Sequence, residues 1–280
     1  MAFRLVRRIA AALPGGRIDA FGTDVSRIGA ILIINLDRQP HRMTRTLREL
    51  ARFRDYRGRR LTALVKRLPA VDARDGRAVA ATADVDPLYV LDDQLYVQPD
   101  ARLEACFERN EAVTMTRQEI AVARSHIEAW KVVATGSEEH VLILEDDVWF
   151  RRGAAASIES AWCEASTRGN GEGLTMVYLS YEDAGGTCER ADVGETLFRP
   201  VRGLWFLCGY VLSRSGAESL LRAMPVVGPV DMWINRQFYW LRPLAIMTPG
   251  TVRISVCGRA VDHQAAMALM KRSPKITANC

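Results

Sequence analysis

The sequence predicts an α/β fold, and three features lead to this class. Short apolar runs at residues 30–34 and 141–144 are typical of buried strands. The first run is followed by an amphipathic helical pattern, which makes half of a βαβ unit. The second run is preceded by such a helix and ends in the three acidic residues Glu145, Asp146 and Asp147. The 280 residues, 49% hydrophobic and 25% charged, are typical of a globular chain.

The N-terminal segment differs in composition from the rest of the chain. Residues 1–28 mix Gly, Pro and Arg, so we predict an N-terminal extension, a domain over 29–258 and a C-terminal tail over 259–280. Residues 1–60 contain fourteen arginines and five acidic residues, a net charge of +9. Such a basic end predicts peripheral contact with an anionic inner-membrane surface, or with a polyanionic substrate. The alternative is a solvated helix face.

Two properties predict a cytoplasmic protein. No apolar run approaches the roughly 18 residues that span a bilayer, which argues against an integral membrane protein. The six cysteines show no CxxC pairing, so we expect free thiols in a reducing compartment.

The first strand and helix place polar side chains near a strand end. Asn35 follows the apolar run, and Pro40 suits the first turn of the next helix. Arg38 precedes Pro40 and Arg42 follows it, so both lie near the strand end, where a guanidinium group can bind a nucleotide phosphate. Solvation on the helix surface is the alternative. A weaker strand at 66–72 ends in Asp72, and we predict an irregular insertion over 77–113.

The next helix leads into the acidic strand. Thr116 and Glu119 have capping-box spacing, and the helix ends at Gly136. It contains Ser125 and His126, whose simplest interpretation is structural. Unpaired carboxylates are costly to bury, so the acids after residue 144 belong at the carboxyl edge of the sheet, where α/β proteins bind ligands. They predict a site for Mg²⁺ or Mn²⁺, or else a solvated acidic turn.

Later elements are predicted from local pattern. We expect a helix at 154–166, strands at 174–180 and 205–212, and a helix at 216–223 capped by Ser213. Residues 181–199 are polar and contain Gly, which predicts a mobile loop near the site. Asp231 lies in the first turn of a helix that begins near 229, where the macrodipole alone can stabilise its charge.

Several segments in this order resemble glycosyltransferase family 25, the lipopolysaccharide-biosynthesis and collagen-galactosyltransferase group. The matching pieces are "IINLDRQPHR", "LPAVDARDG", "EIAVARSHIEAWKVV", "HVLILEDDVWF", "CGYVLSRSGAESLL" and "PVDMWI". They extend over roughly residues 30–235. Two positions depart from the family pattern: Ala121 replaces the usual Gly, and Arg124 replaces an apolar residue.

The resemblance implies a GT-A-like fold, a mixed and mostly parallel sheet flanked by helices. A Rossmann-like half would bind the nucleotide-sugar, and a second half would bind the acceptor. It implies a metal-dependent and inverting transfer of a sugar, with galactose as the candidate, from a UDP-sugar. The implied acceptor is a cell-envelope glycan such as lipopolysaccharide or lipooligosaccharide.

The resemblance also implies roles for individual residues. Asp147 is expected to bind Mn²⁺ or Mg²⁺ directly, with Glu145 as a second ligand, so that the metal stabilises the departing diphosphate. Glu145 and Asp146 are alternatively expected to contact ribose or metal-bound water. The first candidate for the catalytic base is Asp231, followed by Asp183 and Glu182. The expected nucleotide contacts are Asn35, Arg38, Asp72, Ser125, His126, Glu145 and Asp146.

Three other classes are alternatives. A GT-A-like module could bind a nucleotide-sugar or a partner enzyme without transferring sugar. A phosphorelay receiver also carries an acidic strand end, but it needs a later lysine, and this chain has none between residues 132 and 270. Nucleic-acid binding lacks a recognisable motif, so we expect no nucleic-acid partner.

Overall fold

The structure is a computed structural model that describes residues 15–76, 83–93, 106–168, 173–183, 189–248 and 252–254. The strands in chain order are β1 (Gly16–Arg17), β2 (Ile28–Asn35), β3 (Phe53–Arg54), β4 (Val65–Pro69), β5 (Val85–Asp86), β6 (Leu88–Val90), β7 (Ala112–Thr114), β8 (His140–Glu145), β9 (Val148–Phe150), β10 (Met176–Tyr178), β11 (Glu182–Asp183), β12 (Glu189–Asp192), β13 (Leu197–Arg202), β14 (Leu204–Trp205), β15 (Gly209–Ser213), β16 (Val226–Val227), β17 (Leu244–Ile246) and β18 (Val252–Ile254). The α-helices are α1 (Pro40–Leu50), α2 (Arg117–Thr135), α3 (Ala154–Arg168), α4 (Arg214–Arg222), α5 (Val230–Trp233) and α6 (Phe238–Leu241).

The core of the fold is an eight-stranded sheet in the order β12-β13-β17-β10-β15-β8-β2-β4. Strands β4, β2 and β8 are parallel neighbours, as are β10 and β17. Strand β15 lies antiparallel between β8 and β10, and β13 lies antiparallel between β12 and β17. All strands except β13 and β15 therefore point in one direction. This confirms the predicted α/β class with a mixed, mostly parallel sheet flanked by helices.

The strand register brings several chain segments to one edge of the sheet. Ile34 of β2 lies opposite Glu145 of β8, and Asn35 lies opposite Pro69 of β4. The antiparallel strand β15 begins at this edge, with Gly209 opposite Leu144. Because parallel strands end on the same side, the segments that follow β2, β4 and β8 meet here. We call this side the carboxyl edge.

The helix that leads into β8 begins with the predicted capping box. The Thr116 hydroxyl accepts a hydrogen bond from the Glu119 backbone N–H at 3.2 Å, and the Glu119 carboxylate accepts from the Thr116 N–H at 2.6 Å. Helix α2 ends at Gly136. The N-terminal end was thus predictable from capping-box chemistry, and Gly136 follows the last helical residue in an extended conformation.

The polar segment at 181–199 differs from its prediction. Residues 182–183, 189–192 and 197–199 belong to β11, β12 and β13 rather than to a loop, and residues 184–188 of the predicted loop lie outside the described residues. All four residues of β12 are exposed, because this strand forms one edge of the sheet, which explains its polar sequence. The predicted strand at 205–212 is interrupted, since Phe206 has a φ of 71° between β14 and β15.

The N-terminal segment contributes to the core where it is described. Ile18, Ala20 and Phe21 are each only 1% exposed, although they belong to the predicted extension 1–28. Residues 1–14 and the predicted tail at 259–280 lie outside the described residues, so the domain limits stay predictions. Within the described part of the chain, no helix combines the length and apolarity needed to cross a membrane.

Gly216 allows α4 to approach the sheet closely. A Cβ atom at this position would lie 2.5 Å from the Thr175 carbonyl oxygen and 3.1 Å from Leu212. Alanine normally stabilises a helix by about 1 kcal/mol relative to glycine, but a clash in a packed core costs about 1–3 kcal/mol.

We therefore expect Gly216→Ala to lower the free energy of unfolding by about 1–2 kcal/mol in urea denaturation. Glu218→Ala on the exposed side of the same helix should change it by less than about 0.5 kcal/mol. A Gly216→Ala protein more stable than the parent would contradict the close packing of α4.

Candidate functional site

Three consecutive carboxylates occupy the carboxyl edge. Glu145 is the last residue of β8, and Asp146 and Asp147 form the turn into β9. Their side chains are 32%, 8% and 20% exposed, respectively. Consecutive carboxylates that are largely buried repel one another. The site therefore requires positive charge or hydrogen-bond donors.

The Asp146 side chain is already satisfied by protein groups. Its Oδ2 accepts a hydrogen bond from the Asn35 side-chain amide at 2.6 Å, and its Oδ1 accepts from Arg42 Nη1 at 3.2 Å. The Thr46 hydroxyl donates to the Asp146 backbone carbonyl at 2.8 Å. Asp146 therefore ties the acidic turn to β2 and α1. Its predicted contact with the nucleotide stays a prediction.

The Asp147 side chain has fewer hydrogen-bond partners than the Asp146 side chain. Its Oδ1 is buried and has no hydrogen-bond partner among the described residues, while its Oδ2 lies 3.6 Å from Arg42 Nη1. Burial and, to a smaller extent, the Glu145 charge together raise the pKa of Asp147 to about 7, while Arg42 opposes both effects. Buried oxygen atoms without partners are rare, and an ion or ligand is one explanation.

The acidic turn fits a hard cation that keeps other ligands. Within the described ranges, no cluster of three or more His, Cys, Asp or Glu side chains could hold a metal by itself. Mg²⁺ commonly binds through one or two carboxylates and completes its shell with water and substrate phosphates. Asp147 and Glu145 supply oxygen atoms of that kind, so these residues fit the predicted role.

The predicted nucleotide contacts Arg38 and Asp72 form an ion pair. Arg38 Nε lies 2.6 Å from Asp72 Oδ2, and this hydrogen bond holds the pKa of Asp72 below its usual value. Both side chains are partly exposed, at 38% and 27%. The pair joins the segment after β2 to the segment after β4.

Ser125 and His126 both lie on the buried side of α2. The Ser125 hydroxyl accepts from the Val71 N–H at 2.9 Å and donates to the Ala121 carbonyl at 2.7 Å. His126 Nε2 lies 3.5 Å from Glu145 Oε1. The structure thus brings both residues to the carboxyl edge.

Two cavities open at the carboxyl edge on either side of Glu145. One has a volume of about 200 Å³, and we call it the arginine cavity. The other has a volume of about 230 Å³, and we call it the tryptophan cavity. The arginine cavity is lined by Ile34, Leu36, Arg38, Arg42, Ala70, Val71, Ala73, Gln118, Ala121, Val122, Ser125, His126, Glu145, Asp146 and Asp147. The tryptophan cavity is lined by Thr116, Gln118, Glu119, Val122, His126, Glu145, Trp205, Phe206, Leu207, Cys208, Pro229, Val230 and Asp231.

Asp231 projects into the tryptophan cavity from the first turn of α5. Burial raises its pKa to about 6, although the Phe206 backbone N–H donates a hydrogen bond to it and opposes this shift. The left-handed backbone of Phe206 is unusual for a residue with a side chain, and such conformations concentrate at functional sites. Here it accompanies an N–H aimed at a carboxylate.

The two other candidate bases lie on a short strand beside the tryptophan cavity. Glu182 and Asp183 form β11, which pairs with β14 near Trp205. Both side chains are exposed, and neither lines either cavity.

Comparison with known proteins identifies the family. A family model described as glycosyltransferase family 25 (LPS biosynthesis protein) matches residues 29–234, which is most of the chain. The chain belongs to glycosyltransferase family 25. Two mosquito proteins named "Glycosyltransferase 25 family member", from Aedes aegypti and Anopheles gambiae, are 28% and 27% identical to it over 222 residues. The match covers 77% of this chain and 32% of each relative, so the chain spans about a third of the length of these curated relatives.

Membership of family 25 confirms the resemblance seen in the sequence. The two departures from the family pattern lie close to the site. Ala121 is buried and lines the arginine cavity, and Arg124 on the same helix is half-buried.

Sequence reasoning missed several residues that shape the site. The role of Arg67, which donates to the Asn35 side-chain oxygen at 2.9 Å, depends on pairing between β2 and β4. Thr46 has no distinguishing signal in a helix of mixed polarity. Tyr210 lay inside a run predicted only as a strand, although His126 and Trp130 have the i,i+4 spacing that lets two helix residues share one partner.

Proposed function

We propose that this chain is a metal-dependent, inverting glycosyltransferase. It transfers a sugar, with galactose as the candidate, from a UDP-sugar to a cell-envelope glycan such as lipopolysaccharide or lipooligosaccharide. The observation that carries the proposal is the buried Asp147 oxygen that has no partner among the described residues. It lies in a cavity that shares Glu145 with a second cavity containing Asp231. Family 25 membership supports sugar transfer in general.

The arginine cavity is the proposed donor site. Arg38 and Arg42 line it, and guanidinium groups suit a diphosphate because they offer several donors in one plane. Asp147 and Glu145 would hold Mn²⁺ or Mg²⁺ between them and the nucleotide. When bound, the ion supplies positive charge that stabilises the departing diphosphate. In the free protein, Arg42 neutralises Asp146 and part of the Asp147 charge instead.

The tryptophan cavity is the proposed acceptor site. Trp205 and Phe206 give it aromatic surface, with ring centroids 5.3 Å apart in an edge-to-face arrangement. None of the described residues that line it is Arg or Lys. Such a cavity suits a sugar ring that carries hydroxyl groups. Asp231 is the proposed base that takes the proton of the attacking hydroxyl.

Location and partners follow from charge and thiol chemistry. The net charge of +9 in residues 1–60 supports peripheral contact with an anionic membrane surface. Cys106, Cys163 and Cys208 are free thiols in the described structure, which supports a reducing compartment. We therefore propose a cytoplasmic location with peripheral contact at the inner membrane.

Calorimetric titration with UDP-galactose, with and without Mn²⁺, tests the donor site. We expect binding that strengthens with Mn²⁺, and release of UDP from the bound sugar donor in a coupled assay. Binding without any UDP release, even with glycan acceptors present, would favour the non-catalytic module. Equal affinity with and without Mn²⁺ would remove the metal from the proposal.

Arg42→Ala should weaken UDP-galactose binding in the same titration by about 10- to 100-fold, since a charge-assisted hydrogen bond contributes about 1.5–3 kcal/mol. Arg48→Ala is the matched control, because Arg48 is exposed on the same helix and lines neither cavity. Equal losses in both variants would indicate a general charge effect rather than a phosphate contact.

A further inference from the structure

A buried chain of polar groups lies behind Glu145. His126 and Trp130 are one helical turn apart on α2, and Tyr210 lies in the middle of β15. Their exposed fractions are 1%, 0% and 0%. Both Trp130 Nε1 and His126 Nδ1 lie 2.9 Å from the Tyr210 hydroxyl oxygen. One hydroxyl therefore connects the two helix residues.

The donor and the acceptor of each hydrogen bond in this buried polar group follow from the number of protons that each side chain carries. An indole N–H can only donate, so the Tyr210 oxygen accepts from Trp130. Tyr210 has one proton, and among the described residues its remaining partner is His126 Nδ1. Burial raises the pKa of the Tyr210 hydroxyl, so this proton is retained.

A proton on His126 Nδ1 would leave the Tyr210 proton without an acceptor. Such an unsatisfied buried donor costs about 1–3 kcal/mol. Nδ1 is therefore the acceptor, and the imidazole carries its proton on Nε2. Nε2 faces Glu145 Oε1 at 3.5 Å. Hydrogen bonds at active sites are often this long before substrate binds.

We propose that Tyr210 is a positioning residue of the site: it holds His126 in the Nε2–H form, which donates to Glu145. The proposal rests on the proposed role of Glu145 at the wall shared by the two cavities. Neither Tyr210 nor Trp130 lines a cavity, so both act through His126. One Glu145 oxygen is held towards α2, and the other is left for a ligand.

Nuclear magnetic resonance of the full chain, labelled with ¹⁵N in its histidines, tests the tautomer directly. The sequence has four histidines, and His126→Asn identifies the His126 signals by their loss. The parent protein should show a protonated Nε2 and an unprotonated Nδ1 at His126. A proton on Nδ1 in the parent would overturn the proposal without any tyrosine variant.

Tyr210→Phe removes the hydroxyl and should convert the His126 signals to a mixture of forms. Tyr178→Phe is the matched control, because Tyr178 lies opposite Tyr210 in the sheet and makes no hydrogen bond to His126. Unchanged His126 signals in folded Tyr210→Phe would overturn the proposal. If circular dichroism shows that Tyr210→Phe does not fold, the measurement on the parent protein decides alone.

A kinetic readout separates this inference from the proposed function. With Mn²⁺ and UDP-galactose, Tyr210→Phe should lower kcat for UDP release by about tenfold and change KM little, because the hydrogen bond that orients His126 towards Glu145 is lost. An unchanged kcat with an altered tautomer would overturn the positioning role. A parent protein that releases no UDP would instead contradict the proposed function, and the tautomer measurement would still stand.

Discussion

Asp147→Asn is expected to abolish metal-dependent donor binding and to stabilise the protein at neutral pH. The asparagine keeps the shape of the side chain but removes the negative charge that would bind the cation. Loss of an outer partner of a metal ligand typically costs about 10- to 100-fold in affinity, so loss of the proposed ligand itself should cost more. Calorimetry with Mn²⁺ and UDP measures this effect.

The stability gain follows from the raised pKa. In the unfolded chain Asp147 has its ordinary pKa of 3.8, whereas burial raises it to about 7 in the folded protein. Between these values the folded state binds more protons, so the free energy of unfolding falls as pH rises from about 4 to about 7. Asparagine removes this penalty. The expected gain is about 1–3 kcal/mol above pH 7, less than the full shift implies because the side chain is 20% exposed and near Arg42.

Urea denaturation at two pH values checks the sign. The gain should be largest near pH 8 and should become small near about pH 3, below both pKa values, where Asp147 is mostly protonated in the folded and the unfolded state. Asp93→Asn is the control, since Asp93 is exposed and lines neither cavity. If Asp147→Asn is instead less stable than the parent at pH 8, the carboxylate has its hydrogen-bond partners within the folded protein and is not available to bind a ligand.

Local chemistry predicted the elements that position the site. The apolar runs of β2 and β8, the capping box of α2 and the acidic turn after Glu145 were readable, because each depends on neighbours in the chain. The family resemblance added the ordered set of motifs, and the family model confirmed it. The convergence of Asn35 with Asp146 followed from the rule that parallel strands end at one edge.

Other features depend on contacts between distant segments. Strand β12 was predicted as part of a loop, because its exposed position at the sheet edge gives it the polar composition of a loop. The break at Phe206 has no glycine to signal its left-handed backbone. The pairing of Tyr210 with His126 and Trp130 joins a strand to a helix 80 residues or more away in the chain, which no local pattern records.

Asp231→Asn is expected to lower kcat for sugar transfer by about 10²- to 10⁴-fold, the range typical for loss of a general base. Asparagine can still accept the hydrogen bond from the Phe206 N–H, so the tryptophan cavity should keep its shape. Asp231 does not line the arginine cavity, and the affinity for Mn²⁺ and UDP should therefore stay close to that of the parent. A loss confined to kcat would separate proton transfer from donor binding.

The pH dependence of the parent enzyme gives an independent check. A base must be unprotonated to accept a proton, and burial raises the pKa of Asp231 to about 6. Activity should therefore fall as pH drops through about 6, a limb that Asp231→Asn should lack in its residual activity.

Comparison with the other candidate bases decides the assignment. Asp183→Asn and Glu182→Gln change exposed carboxylates that line neither cavity, and Asp192→Asn changes one on the sheet edge. If Asp231 is the base, these three variants should keep kcat within about twofold, because surface substitutions usually have small effects. A 10²-fold or larger loss in Asp183→Asn with normal activity in Asp231→Asn would instead move the base to β11, which would require β11 to close over the tryptophan cavity when the acceptor binds.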